Sequence, residues 1–296
     1  MQISIIIPAF NEEQFLPLLL EDLKKQTFQD FEIIVADAKS TDRTREIAGE
    51  LGAKVAEGGL PARGRNLGAA KAGGEFLFFL DSDVRLEPDF LEKAWAEINE
   101  RFLDLATCEF IPLSDLIVDK VLHDIANFYV KVNQYSDPKA GGFCIMISKR
   151  LFRRIGGFNE ELKLAEDHDL VKRASVFRPL RVLHNSRVKI SVRRLDKEGR
   201  VALSRKYLTV EAYRFFRGEL KDQVVDYQFG DFQTSNSGED EKKLLALDRK
   251  LASLNLSLNR LKDDLSPAKL NLVVQKTTRT FLDNLEKFKI SNFLPF

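Results

Sequence analysis

The sequence predicts an α/β fold: a mostly parallel sheet flanked by helices, followed by a C-terminal α-helical appendage. Three observations predict it. The runs Ile3–Ile7, Phe31–Ala36 and Phe76–Leu80 are apolar with little or no polar alternation, the pattern of strands covered on both faces. Segments of helical length separate them, which calls for right-handed crossovers and a parallel sheet. Each run ends in residues suited to a site: Pro8-Ala9, Asp37 and Asp81-Ser82-Asp83. Ligands of open α/β sheets lie outside the carboxyl ends of the strands, and the crossover rule brings all three ends to one edge.

Taken in order, the first strand stops at Pro8, and Asn11 is expected to cap a Leu-rich helix over Glu12–Lys25. Ser40 or Thr41 caps the next helix, Asp42–Leu51, and Lys54–Ala56 forms a short strand. Gly58–Gly64 reads as a glycine-bearing loop before a helix over Arg65–Lys71. After Asp83 a helix runs from Pro88 to Phe102, then a strand over Cys108–Ile111 and a helix over Asp115–Val132. The turn at Gly141-Gly142-Phe143 feeds the strand Cys144–Ile147, and helix Lys149–Ile155 ends at the left-handed cap Gly156-Gly157. Glu166-Asp167-His168-Asp169 opens another helix, where negative charge suits the helix dipole. Alternation at Leu180–Leu183 and Val188–Arg193 predicts a pair of edge strands.

Composition bounds the function. A chain of 296 residues, 44% hydrophobic, can bury a large core, and a net charge of +1 gives no electrostatic support for a nucleic-acid partner. Cys108 and Cys144 lack metal or redox spacing, so they read as structural thiols in a reducing compartment. The opening Met1–Pro8 argues against a signal peptide, and no apolar run is long enough to cross a bilayer. A cytoplasmic location is expected, free or peripheral at the inner face of the membrane.

Beyond Arg200 the character changes. Residues 200–229 read as an amphipathic helical segment suited to a membrane surface or to packing on the preceding domain. Residues 230–243 read as a flexible linker. Residues 244–296 read as a helical hairpin whose leucine stripe, Leu244 to Leu261, packs internally or forms a homodimer.

The chemistry concentrates at two acidic clusters. Alternate residues of extended chain point the same way, so Asp81 and Asp83 are expected to address one ligand together. Oxygen ligands of this kind suit a hard divalent cation on a phosphate, although Asp and Ser also cap helices after such turns. The second cluster, Glu166–Asp169, fits either a helix N-terminus or a general base.

In order and spacing, Ile5–Glu13, Asp37–Asp42, Ala62–Gly68, Phe79–Asp83, Gly141–Phe143 and Glu166–Leu170 resemble the family 2 inverting glycosyltransferases of the GT-A fold, over roughly residues 1 to 195. The resemblance implies a GT-A (Rossmann-like) catalytic domain at 1–199, with a nucleotide-sugar half at 1–105 and an acceptor half at 106–199. It implies donor binding by Pro8, Ala9, Asn11, Glu12, Glu13, Asp37, Arg63, Arg65, Asp81 and Ser82, with Asp37 accepting from the base. Asp83 resembles the ligand of Mg²⁺ or Mn²⁺, with His184 as a further candidate ligand. Asp167 resembles the catalytic base, its pKa raised by crowding from Glu166 and Asp169. Gly141, Gly142, Phe143 and Glu166 border the acceptor or sugar, and Arg193 and Arg194, on the later hairpin, match a basic pair of some relatives near the diphosphate.

The implied activity is metal-dependent transfer of a sugar from a UDP- or GDP-sugar to a hydroxyl or phosphate of a glycan, lipid-linked or small-molecule acceptor, such as a cell-envelope glycan precursor. A non-catalytic scaffold retaining the fold and a sugar-phosphate nucleotidyltransferase are the alternatives. The latter needs a glycine-rich, arginine-bearing loop after the first strand, where this chain has Pro8-Ala9-Phe10-Asn11.

Overall fold

A computed structural model describes residues 1–162, 164–200 and 203. Its eight-stranded sheet has the order β3-β2-β1-β4-β7-β6-β8-β5. β1 (Ile3–Ala9), β2 (Phe31–Asp37), β3 (Lys54–Glu57) and β4 (Phe76–Leu80) are mutually parallel, as the crossover rule requires. β7 (Cys144–Ser148) then runs antiparallel between β4 and β6 (Leu105–Pro112). β8 (Arg181–Ile190) lies parallel to β6, and the two-residue β5 (Arg85–Leu86) closes the edge antiparallel to β8. The sheet is therefore mixed, with its parallel half where the first four strands were expected.

The central strands carry two cores because successive side chains face opposite ways. Ile5, Ile7, Phe78, Leu80 and Met146 share one apolar layer with α1 (Leu16–Lys24) and α4 (Phe90–Glu100). Ile6, Leu77, Phe79, Ile145 and Ile147 share the other with α3 (Pro61–Lys71), α6 (Lys149–Arg154) and α7 (Glu166–Ser175). Phe78 and Phe79 are each fully buried, one in each layer, worth roughly 1.5–3 kcal/mol apiece. α3 approaches β1 so closely that a Cβ on Gly68 would lie 2.5 Å from Ile6 Cγ2.

Several boundaries differ from expectation. Asn11 caps no helix: it adopts φ +54°, its side chain accepts from Thr41 N–H at 2.9 Å, and α1 begins only at Leu16. α2 (Thr44–Glu50) starts after Asp42, whose carboxylate accepts from Thr44 N–H at 3.0 Å. α3 begins at Leu60-Pro61, because proline needs no N–H in the first helical turn. Arg63 and Arg65 therefore lie on a helix rather than in a loop. The expected pair of edge strands is one strand, β8, irregular opposite Cys108 and Glu109 of β6. Arg193 and Arg194 open α8 (Arg193–Glu198) instead of ending a hairpin. α5 (Ile117–Asn133) lies close to its expected span, and Gly156 and Gly157 take the positive φ of the expected cap.

Arg200 reaches back to Asp119 of α5 through two bonds of 2.9 Å, and Leu203 is buried. The expected amphipathic segment, linker and helical hairpin otherwise fall outside the described residues. Among the described residues, no helix is long and apolar enough to cross a membrane.

One tie beneath the site edge is titratable. Asp22 of α1 accepts from Arg85 Nη2 at 2.8 Å, from Arg85 Nε and from Leu86 N–H at 3.0 Å. Burial pushes its carboxyl up, but these donors outweigh burial and hold it below 3.8. The stabilisation is therefore present above the unfolded value and is lost as pH falls through the lower folded one. Asp22→Asn is expected to cost about 2 kcal/mol at pH 7. Urea unfolding should show the gap to wild type closing below pH 3.8; a gap constant down to pH 2 would refute the assignment.

Candidate active site

The edge formed by the ends of β1, β2 and β4 is built first from backbone. Ala9 and Asp37 are register partners at the last step of β1 and β2. The two exits are then stitched together: Asn11 N–H donates to Ser40 Oγ at 2.9 Å, Glu12 N–H to Thr44 Oγ1 at 2.7 Å and Glu13 N–H to Asp42 Oδ2 at 3.1 Å. Glu13 returns the favour by accepting from Arg43 N–H at 3.1 Å. The side chains of Asn11 and Glu13 thus brace the loops, while Pro8, Ala9 and Asp37 line the strand ends. Asp37 is buried, with Arg45 Nη1 3.6 Å from its carboxylate. A Cβ on Gly58 would lie 2.5 Å from Ala36 O, so the chain leaving β3 presses directly on this floor.

Asp81 and Asp83 follow β4, with Ser82 buried between them. Each of the two meets an arginine. Asp81 accepts from Arg65 Nη2 at 2.8 Å, whereas Asp83 pairs with Arg193 Nε at 2.9 Å. Burial pushes the Asp83 carboxyl up to about 6; Arg193 pulls it down, and the charges of Asp81 and Glu12 push it further up. With 19% of its side chain exposed, Asp83 is reachable from solvent. Glu12, expected at the donor, has both oxygens on Arg193, at 2.9 and 2.7 Å from Nη1 and Nη2. A cavity of about 320 Å³ borders Asp83 and Arg193, walled by Phe15, Leu18, Leu113 and Val192.

Arg65 joins the two acidic clusters. Its side chain is 4% exposed, and Nη1 donates to Glu166 Oε1 at 2.7 Å while Nη2 holds Asp81. Gly142 leaves room for it, since a Cβ there would sit 2.3 Å from Arg65 Nη2. Burial pushes Glu166 up, the charge of Asp167 adds to this, and Arg65 opposes it. Asp167 is fixed at both oxygens, accepting from Gly142 N–H at 2.7 Å and from His168 N–H at 2.8 Å. Phe143 packs on Phe110 with ring centroids 4.5 Å apart and anchors the same turn. The structure thus gathers Asp81, Arg65, Glu166, Asp167, Gly141, Gly142 and Phe143, with Asp83, Glu12 and Arg193 adjoining through Asp81.

Other expectations fare differently. Asp169 has its carboxylate matched by Arg173 at 2.8 and 2.6 Å. Arg63 is exposed on α3 and packs its stem over Gly59. His184 is 70% exposed beside Glu97 of α4, at 3.8 Å. It lies five residues before Lys189, the β8 residue opposite Arg85, so the fold does not bring it to Asp83. Sequence reasoning missed the Arg65 bridge, although Ala62, Arg65 and Ala69 share one helix face and would have marked a buried arginine. It also missed the Glu12–Arg193 pair, for which no local signal exists.

Among the described residues, no group of three or more His, Cys, Asp or Glu could hold a metal by itself. A cation of the Mg²⁺ type usually takes one or two carboxylates and completes its shell with phosphate oxygens and water. Asp83 fits that demand as one such carboxylate, because it is reachable from solvent.

The sequence profile of Glycosyl transferase family 2 matches residues 4–156, more than half of the chain. Poly(ribitol-phosphate) beta-N-acetylglucosaminyltransferase TarS of Staphylococcus aureus is 36% identical over 115 residues, covering 36% of this chain and 20% of TarS. An uncharacterized glycosyltransferase of Haemophilus influenzae is 29% identical over 187 residues, covering 57% of this chain and 60% of that one. The chain therefore matches only about a fifth of TarS and three fifths of the Haemophilus protein. The solved structure of S. aureus TarS 1-349 with UDP-GlcNAc is similar with a TM-score of 0.54 and 26% identity, covering 64% of this chain and 58% of that one. Mannosyltransferase PcManGT of Pyrobaculum calidifontis, in complex with GDP-Man and Mn²⁺, shares the fold with a TM-score of 0.53 and 15% identity over 95% of this chain and 80% of that one. With its GT-A-like sheet, its paired acidic clusters and this profile match, the chain belongs to glycosyl transferase family 2.

Proposed function

We propose that the chain is an inverting, metal-dependent glycosyltransferase that moves a sugar from a nucleotide-sugar to a hydroxyl or phosphate of an acceptor. The observation that carries this reading is the guanidinium of Arg65, which holds Asp81 at 2.8 Å and Glu166 at 2.7 Å. A single side chain thereby holds a carboxylate that follows β4 close to one at the head of α7. Donor and base chemistry need that proximity.

In this reading Asp37 accepts a hydrogen bond from the base, and Asp83 would hold Mg²⁺ or Mn²⁺. A bound cation supplies Lewis-acid stabilisation of the charge that develops on the diphosphate. Asp167, oriented by Gly142 N–H, takes the proton from the acceptor hydroxyl. The acceptor oxygen then forms its bond to the anomeric carbon from the face opposite the diphosphate, which departs with the electron pair of the broken bond. Gly141 and Gly142 border the acceptor as a turn whose missing side chains admit the Phe143 ring and the Arg65 guanidinium. UDP is favoured over GDP as the donor's nucleotide, because TarS, crystallised with UDP-GlcNAc, shares 26% identity while the GDP-Man-bound neighbour shares 15%. The relatives include TarS and a 4,4'-diaponeurosporenoate glycosyltransferase of Staphylococcus haemolyticus, 44% identical over 93 residues, 28% of this chain and 24% of that one. They favour a cell-envelope glycan or lipid-linked acceptor.

A panel of UDP- and GDP-sugars assayed for hydrolysis with and without Mn²⁺ tests the class. Asp83→Ala is expected to lower cation-dependent UDP binding by about 100-fold or more while leaving the circular dichroism spectrum unchanged. Undiminished turnover in that variant would overturn the metal role. A scaffold would bind neither UDP nor GDP in calorimetry.

A further inference from the structure

Arg193 stands where a cation would have to stand. Its Nε is 2.9 Å from Asp83 Oδ2, and Nη1 and Nη2 lie 2.9 and 2.7 Å from the two oxygens of Glu12. The guanidinium also stacks on Phe15, 4.5 Å from the ring centroid. Glu12 is the fixed end of this arrangement: it is buried, and its own N–H is tied to Thr44 Oγ1 at 2.7 Å. Asp83 is the exchangeable end, because it is the more exposed carboxylate, at 19% against 7% for Glu12.

We propose that Arg193 is an internal counter-cation that competes with the divalent ion for Asp83, so that the ion binds weakly alone and tightly only together with a nucleoside diphosphate. The inference rests on the cation role of Asp83 proposed above. A guanidinium and a divalent ion cannot both occupy Asp83 Oδ2 at bonding distance. When the ion arrives, the Nε–Asp83 bond breaks while the two bonds to Glu12 persist, and the neighbouring cavity of about 320 Å³ gives the guanidinium room to shift. The shifted Nε–H has lost an anionic acceptor, and the oxygens of a diphosphate replace it while completing the shell of the ion. The free energy of breaking the Arg193–Asp83 pair is thus recovered only when both ligands are present, which is positive coupling between them.

The test is Mn²⁺ titration of the full chain, followed by electron paramagnetic resonance of the free ion, with and without UDP. Wild type is expected to bind Mn²⁺ at least tenfold more tightly with UDP than without. Arg193→Gln should bind Mn²⁺ without UDP about tenfold more tightly than wild type, and UDP should add little. Adding Asp83→Asn to that variant should abolish the gain. Arg193→Lys keeps the charge but cannot hold Glu12 twice and Asp83 at once; its Mn²⁺ affinity should lie between the two, giving a reading even if the glutamine variant fails to fold. If both variants bind Mn²⁺ alone with wild-type affinity, while wild type with UDP still binds it through Asp83, the competition is refuted and the metal reading stands. If wild type with UDP binds no Mn²⁺, the metal reading fails and the competition falls with it.

Discussion

Asp167→Asn is expected to lower turnover of the preferred nucleotide-sugar by about a thousandfold while leaving UDP affinity within a factor of about three. The substitution preserves shape, and the amide oxygen can still accept the 2.7 Å bond from Gly142 N–H, while the bond from His168 N–H is lost. What disappears is the capacity to take a proton from the acceptor. Single-turnover kinetics beside UDP calorimetry separates the two quantities. A variant that retains a tenth or more of wild-type turnover would move the base elsewhere, and Glu166 is the nearest alternative, in contact with Arg65 and electrostatically linked to Asp167.

The second large effect concerns stability. Arg65→Leu removes the guanidinium from between Asp81 and Glu166, leaving Glu166 buried without its 2.7 Å partner. Breaking a buried pair by deleting one member costs about 3–5 kcal/mol, which for a domain of this size lowers the melting temperature by roughly 10 °C. The pH dependence has a definite sign. Burial already raises the Glu166 carboxyl, and loss of Arg65 raises it further, so the folded variant binds its proton more tightly than the unfolded chain does. The deficit should therefore shrink as the solution is acidified and widen as pH rises through the folded value. Calorimetric melting of wild type and variant between pH 5 and 8 measures it. A deficit that stays constant with pH would mean that Arg65 contributes packing rather than charge.

Much of the fold was readable because fully buried strands advertise themselves. Phe76–Leu80 can be only a central strand, and Ile3–Ile7 and Cys144–Ile147 follow the same rule. The head of α7 was readable from its acids, and the Gly156-Gly157 stop from its glycines. Asn11 misled because Asn suits both a helix cap and the left-handed backbone it adopts. β5 has two residues, too few for any periodicity, and β8 hides its continuity behind an irregular step that breaks the alternation. For the site, the residue types were legible but their pairings were not. Arg193 and Glu12 are 181 positions apart, and Arg65 and Glu166 are 101 apart. Only the three-dimensional crossing of α3, α7 and α8 decides which carboxylate each arginine meets.

β7 runs against β4, with Leu80 opposite Cys144. The rim of the cleft is consequently shared by segments of opposite polarity: one strand delivers its chain outward there, while its neighbour receives chain from the Gly141–Phe143 turn. That turn comes from a stretch of sequence separate from the first four strands, yet Gly142 is tied to the exit of β4 because it makes room for Arg65, which holds Asp81. A change at that turn would therefore be felt across Arg65 at Asp81, and not only at the residues beside it.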